Sequence, residues 1–253
     1  MSNDKVLEDV RSWLDQHGYV LEMEVARAMI PHCQYVAQGE QYVDPVTGKL
    51  RETDVFCSWG TAKRSAPGIY HALDMVIECK STNAPWVAFF GGSKYIESGL
   101  FPYLMTGNWS SCHLCDEIEA LLLGLGPGID APDAYSITEK RSDRSTRDHA
   151  REAGLAVTSA AIAKMNNAAE KYAKASPVHY SYRVFPVVVT RSPIVSCSLS
   201  RRGNVNLSRI DSCWLYSAHE KWDNPVRVLV ITIEAFKDFV VKLAEITRKV
   251  KMA

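Results

Sequence analysis

Leu73-Asp74-Met75-Val76-Ile77-Glu78-Cys79-Lys80 decides how the rest of the chain is read. It is an apolar run rich in β-branched residues, which suits a strand, and it ends on a carboxylate and an amine. Successive side chains on a strand point to opposite faces, so Glu78 and Lys80 share one face and Cys79 takes the other. A buried strand seldom gives one face to two charges, because each is expensive to remove from water. Two readings follow. One is a structural ion pair at a strand end; the other is half of a metal-dependent hydrolytic site. A second carboxylate upstream decides between them, and Asp54 supplies one.

Upstream of this strand, Asp44-Pro45-Val46-Thr47-Gly48-Lys49 has turn chemistry, with proline setting φ and glycine admitting positive φ. Residues 41–43 lead in as an extended segment and 50–56 return as a strand, on which Glu52 and Asp54 share one face. Residues 58–70 read as a polar loop. Earlier still, Val6, Val10, Trp13 and Leu14 fall at helical spacing over 4–17, and Gly18 closes that helix. A second helix over 21–30 carries Leu21, Val25 and Met29 on one stripe and stops at Pro31.

Downstream, residues 85–90 are apolar, and from about 93 to 147 the pattern weakens into an elaboration. Its charge-dense end, 139–148, reads as a solvated loop. Residues 149–175 are rich in alanine and read as one long helix. A strand covers 182–190, where Pro186 points to an edge or a bulge. Residues 194–199 are extended, Arg201-Arg202-Gly203-Asn204 is a turn into 205–216, and 226–233 is another strand. The last helix sets Phe236, Phe239, Val240, Leu243, Ile246 and Val250 on one face. The order predicts a single mixed α/β domain over 1–253, a central mixed β-sheet flanked by helices, with an insertion at about 93–147.

The 253 residues are 47% hydrophobic and 23% charged, ordinary for a globular chain able to bury a core. No apolar run reaches the roughly 18 residues of a membrane span, and the first residues lack the apolar core of a signal peptide. Seven cysteines, an odd number without a framework, suit reduced thiols and a cytoplasmic setting. The net charge is zero, so a nucleic-acid role must rest on a local basic patch, a short contact or a partner.

Magnesium prefers hard oxygen ligands and keeps several waters, so one or two carboxylates hold it beside a phosphate. Asp54 and Glu78, on neighbouring strands, are placed to converge on one ion. Lys80 reaches the same space, to orient a water or to stabilise charge building on phosphoryl oxygens. Taken alone, a carboxylate followed by Glu-x-Lys is a common pattern. Its context adds specificity: a hairpin before Asp54, an apolar strand before Glu78 and a carboxylate-bearing helix before both.

In that order, Leu21-Glu22-x-x-Val25-Ala26, then Asp44-Pro45-x-Thr47-Gly48-Lys49-x-Arg51-Glu52-x-Asp54-Val55, then Val76-Ile77-Glu78-Cys79-Lys80-Ser81 resembles the PD-(D/E)xK nucleases of the restriction endonuclease-like fold. The resemblance covers residues 18 to 90, is looser over 176–250 and does not extend to 93–147. It implies that Asp54 is the motif aspartate, Glu78 the second acidic ligand and Lys80 the catalytic lysine. It implies that Cys79 lends its backbone carbonyl to the metal and that Glu22 joins from the helix, with Glu24 as runner-up. Thr53 stands where the family name has proline. The implied activity is Mg²⁺- or Mn²⁺-dependent hydrolysis of phosphodiesters, usually in DNA. A homodimer would supply two sites for two strands, and a role in prokaryotic defence follows by analogy only.

Other candidates have plainer readings beside them. Glu52 is a further ligand or a strand-edge ion pair. Ser81 and Thr82 either bond a phosphate or cap the strand end. Lys164, Lys171 and Lys174 on the long helix, and Arg201-Arg202, either touch a phosphate backbone or are solvated. Trp86 and Trp109 are candidates to stack on bases, and Trp86 more readily suits the core. Gly124-Leu125-Gly126-Pro127-Gly128 lacks the lysine of a phosphate loop. Cys112 and Cys115 form a lone Cys-x-x-Cys, half of a zinc site. Two alternatives to the nuclease therefore remain open: a nuclease-like fold that binds without cutting, and a zinc-dependent interaction protein.

Overall fold

The computed structural model describes residues 3–16, 18–61, 69–82, 84–91, 104–107, 133–141, 147–174, 179–220 and 222–252. Its helices are α1 (Asn3–Gln16), α2 (Tyr19–Met29), α3 (His149–Lys174) and α4 (Ile233–Met252). Its strands are β1 (Tyr35–Val43), β2 (Leu50–Thr61), β3 (Ile69–Lys80), β4 (Trp86–Phe90), β5 (Leu104–Gly107), β6 (Asp133–Ala134), β7 (Ser136–Glu139), β8 (His179–Thr190), β9 (Ile194–Leu199), β10 (Val205–Ile210), β11 (Ser212–His219) and β12 (Trp222–Thr232).

The chain is α/β, with a mixed sheet flanked by helices. The large sheet runs β1-β2-β3-β8-β12-β11-β6, with β5 also paired to β8. β1, β2 and β3 form an antiparallel meander, and β3, β8 and β12 are mutually parallel neighbours. A smaller sheet runs β10-β9-β4-β7.

Parallel interior strands are buried on both faces and therefore read as continuous apolar runs. β3 and β8 fit this, with Met75, Val76, Ile77, Val187, Val188 and Val189 all buried. On one face Leu21, Val25 and Met29 of α2 and Phe236, Phe239 and Leu243 of α4 pack on Val55, Ile77 and Val187. On the other, Ala153, Val157, Ala160 and Ala161 of α3 pack on Val76, Val184 and Val188. No helix among the described residues is long and apolar enough to cross a membrane.

Several local expectations are corrected. Residues 58–61 and 69–70 belong to strands, because Cys57 and Trp59 are buried and β2 pairs with β3 out to Thr61–His71. Residues 205–216 split at Asp211 into β10 and β11, which join different sheets. Pro186 lies in an interior strand. It sits just past the β5 partner at Val184 and just before the β12 partner at Val187, where no described strand on that flank asks for its missing N–H. The ends of the charge run 139–148 are structural: Asp148 Oδ1 accepts the Arg151 N–H at 3.2 Å as the cap of α3, and buried Glu139 bonds His149 at 2.7 Å.

Candidate active site

β2 and β3 pair from Thr61–His71 down to Val55–Ile77, and β3 then continues beside β8 to Lys80–Thr190. Past the last β2–β3 pair, side chains take over the backbone bonds. The N–H of Cys79 donates to Asp54 Oδ2 at 2.6 Å, and Thr53 Oγ1 donates to the Ile77 carbonyl at 3.4 Å. The strands part here, and Asp54, Glu78 and Lys80 gather at the opening. Lys80 Nζ donates to Glu78 Oε1 at 2.7 Å. Glu78 is only 8% exposed.

A settled ion pair would hold its carboxyl below the ordinary range. Glu78 is instead pushed up to about 7, by burial first and then by the charge of Asp54, with Lys80 pulling the other way. Glu22, in the first turn of α2, is also pushed up to about 7, by burial and then by Asp54, again opposed by Lys80. Asp54 is raised by burial, against the Cys79 N–H and Lys80. Burial acts to lower Lys80, but Glu78 and Asp54 outweigh it, so its ammonium stays charged. The cluster therefore has three carboxylates against one cation and is short of positive charge.

Within one strand residue, N–H and C=O face the same edge. The Cys79 carbonyl therefore lies on the Asp54 side, whereas the Lys80 carbonyl turns to β8 and accepts the Arg191 N–H at 3.3 Å. The Cys79 thiol is buried on the opposite face, and burial pushes it well above the ordinary thiol range. The two helix carboxylates also separate: Glu24 pairs with Arg191 at 2.9 Å and with Lys237 at 3.7 Å, which leaves Glu22 as the one facing the cluster.

A cleft of about 420 Å³ opens beside the cluster, lined by Gln41, Tyr42, Leu50, Arg51, Glu52, Glu78 and Ala156. Tyr42, which sequence reasoning missed, is buried there and pushed up to about 12, by burial and then by Glu78. Its position depends on Gly39. Val36 packs on the α2 side, and strict alternation would put Tyr42 on that side too. Tyr42 instead sits in the α3-side core, and Glu40 pairs with Lys164 of α3. Gly39 lies between them at φ 64°, a left-handed value that glycine adopts readily, so the strand changes side there.

Other candidates find structural partners. Lys164 is inward, paired to Glu40 and 4.3 Å from the Phe56 ring centroid, so it is not a phosphate contact; Lys171 and Lys174 are exposed. Thr82 caps the strand end: its hydroxyl meets that of Ser192 at 2.8 Å and donates to the Ala84 carbonyl at 3.2 Å. Asp74 accepts the hydroxyl of Tyr182 in the core. The described cysteines, Cys33, Cys57, Cys79, Cys197 and Cys213, are free thiols. Cys112, Cys115, Trp109 and the Gly124–Gly128 stretch lie outside the described residues.

Among the described residues, no three His, Cys, Asp or Glu side chains are close enough to cage a metal unaided. A hard divalent ion asks for less, because one or two carboxylates suffice when water and substrate complete its shell. Asp54 and Glu78 are such donors, and their shortage of positive charge fits a cation. Compared with known proteins, the chain matches no family model, no curated protein and no solved structure. What its own fold and site define is an α/β protein with a partly buried acidic cluster and one lysine where two strands part.

Proposed function

We propose that this chain is a metal-dependent nuclease of the PD-(D/E)xK type, with a restriction endonuclease-like fold, that hydrolyses phosphodiester bonds in DNA. The observation that carries the reading is the meeting of Asp54, Glu78 and Lys80 where β2 and β3 part, with Glu78 at the wall of a cleft. An ion pair kept for stability alone would not leave Glu78 half-protonated near neutrality beside two further carboxylates.

In this reading Asp54, Glu78 and the Cys79 carbonyl hold Mg²⁺ or Mn²⁺. The ion, when bound, supplies Lewis acidity toward the phosphoryl group and a more acidic water. Glu78 fixes the Lys80 ammonium in place. Lys80 orients the attacking water and offsets charge that develops on the phosphoryl oxygens. The Cys79 N–H locks the Asp54 carboxylate in one orientation. Glu22 accepts a proton or a water from the α2 side. Two copies of the chain would supply two such centres for the two strands of a duplex.

The test incubates plasmid and linear DNA with the protein in Mg²⁺ or EDTA, beside Asp54→Ala and Lys80→Ala. Intact DNA is expected to disappear only with metal and only with the unsubstituted protein, each substitution costing at least about a hundredfold. Cleavage that persists in either variant refutes the assignment.

A further inference from the structure

A net charge of zero left the source of any grip on nucleic acid open, and the smaller sheet supplies one. β9 and β10 form a hairpin, antiparallel from Ile194–Ile210 to Leu199–Val205, and β10 is the outer strand of its sheet. Between residues 194 and 210 stand three arginines, Arg201, Arg202 and Arg209, and not one acid or lysine, in a chain whose charges cancel overall. All three are exposed. Cross-strand pairing puts Ser196 with Ser208 and Ser198 with Asn206 on one face, beyond the core-packed Ile194–Ile210 pair, and the Ser196 and Ser208 hydroxyls meet at 2.6 Å. Arg201 and Arg202 sit at the tip, where Gly203 at φ 79° makes the turn.

The hairpin also starts at the proposed catalytic end. β8 ends at Thr190, the partner of Lys80. Ser192 then bonds Thr82, and β9 begins two residues later. Six residues of strand carry the tip about 20 Å outward at roughly 3.3 Å per residue.

We infer that the β9–β10 hairpin is a duplex-DNA docking element, its serine and asparagine face entering the major groove and Arg201 and Arg202 holding the phosphate backbone. A two-stranded ribbon fits a major groove about 12 Å wide, and serine and asparagine are side chains that bond base edges there. Arginine at the tip adds the sequence-independent, salt-sensitive part of binding. The inference names the substrate form for the nuclease reading and rests on it. The opposite face, with Leu199, Val205 and Leu207 exposed, makes a second copy of this chain the competing occupant.

The test measures binding of the full chain to a short labelled DNA duplex in EDTA across a salt series, by fluorescence anisotropy, for the unsubstituted protein, Arg201→Ala/Arg202→Ala and Asp54→Asn. The double variant alters only exposed turn residues. It is expected to bind at least about tenfold more weakly and to make the slope of log affinity against log salt shallower by about 1.8, which is two contacts at 0.9 each. Unchanged affinity and slope overturn the inference, as does failure of the unsubstituted chain to bind duplex at all. So does loss of a dimer in the double variant, by light scattering, with DNA affinity intact. Asp54→Asn is expected to bind as tightly as the unsubstituted chain and to cut nothing in Mg²⁺. If the unsubstituted chain binds through the arginines yet never cuts, the nuclease reading falls and the docking element stands. If cutting depends on Asp54 while the arginines are dispensable for binding, the reverse holds.

Discussion

Glu78→Gln removes one carboxylate from the cluster while keeping its shape, and the structure sets the sign and size of the result. Glu78 is held at about 7, against 4.5 when unperturbed, with the attraction of Lys80 already contained in that value. Its proton affinity is thus higher in the folded chain. The stability linked to this group is fully present below 4.5 and is lost as pH rises through 7. At about 1.4 kcal/mol per tenfold in proton affinity, burying the charged form costs about 3 kcal/mol at pH 8 and about 1 kcal/mol at pH 5. Glutamine mimics the protonated acid and is spared that cost. Urea unfolding in EDTA is therefore expected to find Glu78→Gln more stable than the unsubstituted chain, with a margin wider at pH 8 than at pH 5 by about 2 kcal/mol. Glu22 titrates in both proteins, so the comparison largely cancels its contribution. A second arm adds Mg²⁺ at pH 8. An ion at a hundredfold excess over its Kd stabilises the unsubstituted chain by about 2.7 kcal/mol, and the variant, lacking a donor, gains far less. A margin that does not change with pH would refute the claim that buried like charge, rather than a settled ion pair, governs Glu78. Equal stabilisation of both proteins by Mg²⁺ would refute its role as a donor.

Hydrolysis at subsaturating Mg²⁺ is expected to rise as pH climbs through about 7, because protons on Glu78 and Glu22 compete with the ion below that value; a rate flat from pH 6 to 8 in buffered plasmid assays at low Mg²⁺ would contradict this. Gly39→Ala places a β-carbon at φ 64°, which costs about 1–2 kcal/mol, and it meets nothing nearer than Glu52 Oε2 at 3.8 Å. The penalty is therefore one of backbone conformation, and it should show both as lower stability in urea and as slower hydrolysis, since Gly39 sets the side from which Tyr42 reaches the cleft. Asp148→Ala removes the cap of α3, bonded to the Arg151 N–H and the Thr138 hydroxyl. It is expected to cost about 1 kcal/mol on chemical unfolding while leaving DNA hydrolysis unchanged.

The acidic pair and its lysine were readable because strand alternation is a local rule. Two residues' separation puts Glu78 and Lys80 on one face whatever surrounds them, and a β-branched run announces the strand. The turn at 44–49 was equally local, with Asp44 Oδ1 accepting the Val46 and Thr47 N–H groups at 3.0 and 2.8 Å. What failed were inferences that need a neighbour. Pro186 looks like an edge residue only if every strand position has partners on both flanks, and the hand-over from β5 to β12 supplies an interior position that lacks one. Lys164 looks like a solvated lysine only if its face of α3 is outward, but the alanine-rich packing turns it toward Glu40. Tyr42 carried no signal at all, because its face depends on one glycine φ three residues earlier.

The same distinction bears on what makes the acid pair a candidate site. Asp54 and Glu78 would be placed across from each other in any continuous β2–β3 ladder, where the backbone would satisfy itself and both carboxylates would be left with nothing to hold. Here described pairing stops at Val55–Ile77, and Asp54 takes the N–H that the ladder no longer uses. That bond draws the carboxylate to the Cys79 backbone and fixes it beside Glu78, at the place where the strands part. The proposed function therefore depends on where the ladder ends as well as on which residues occupy 54, 78 and 80, and the end of the ladder is a property of strand twist and register that a residue pattern does not encode.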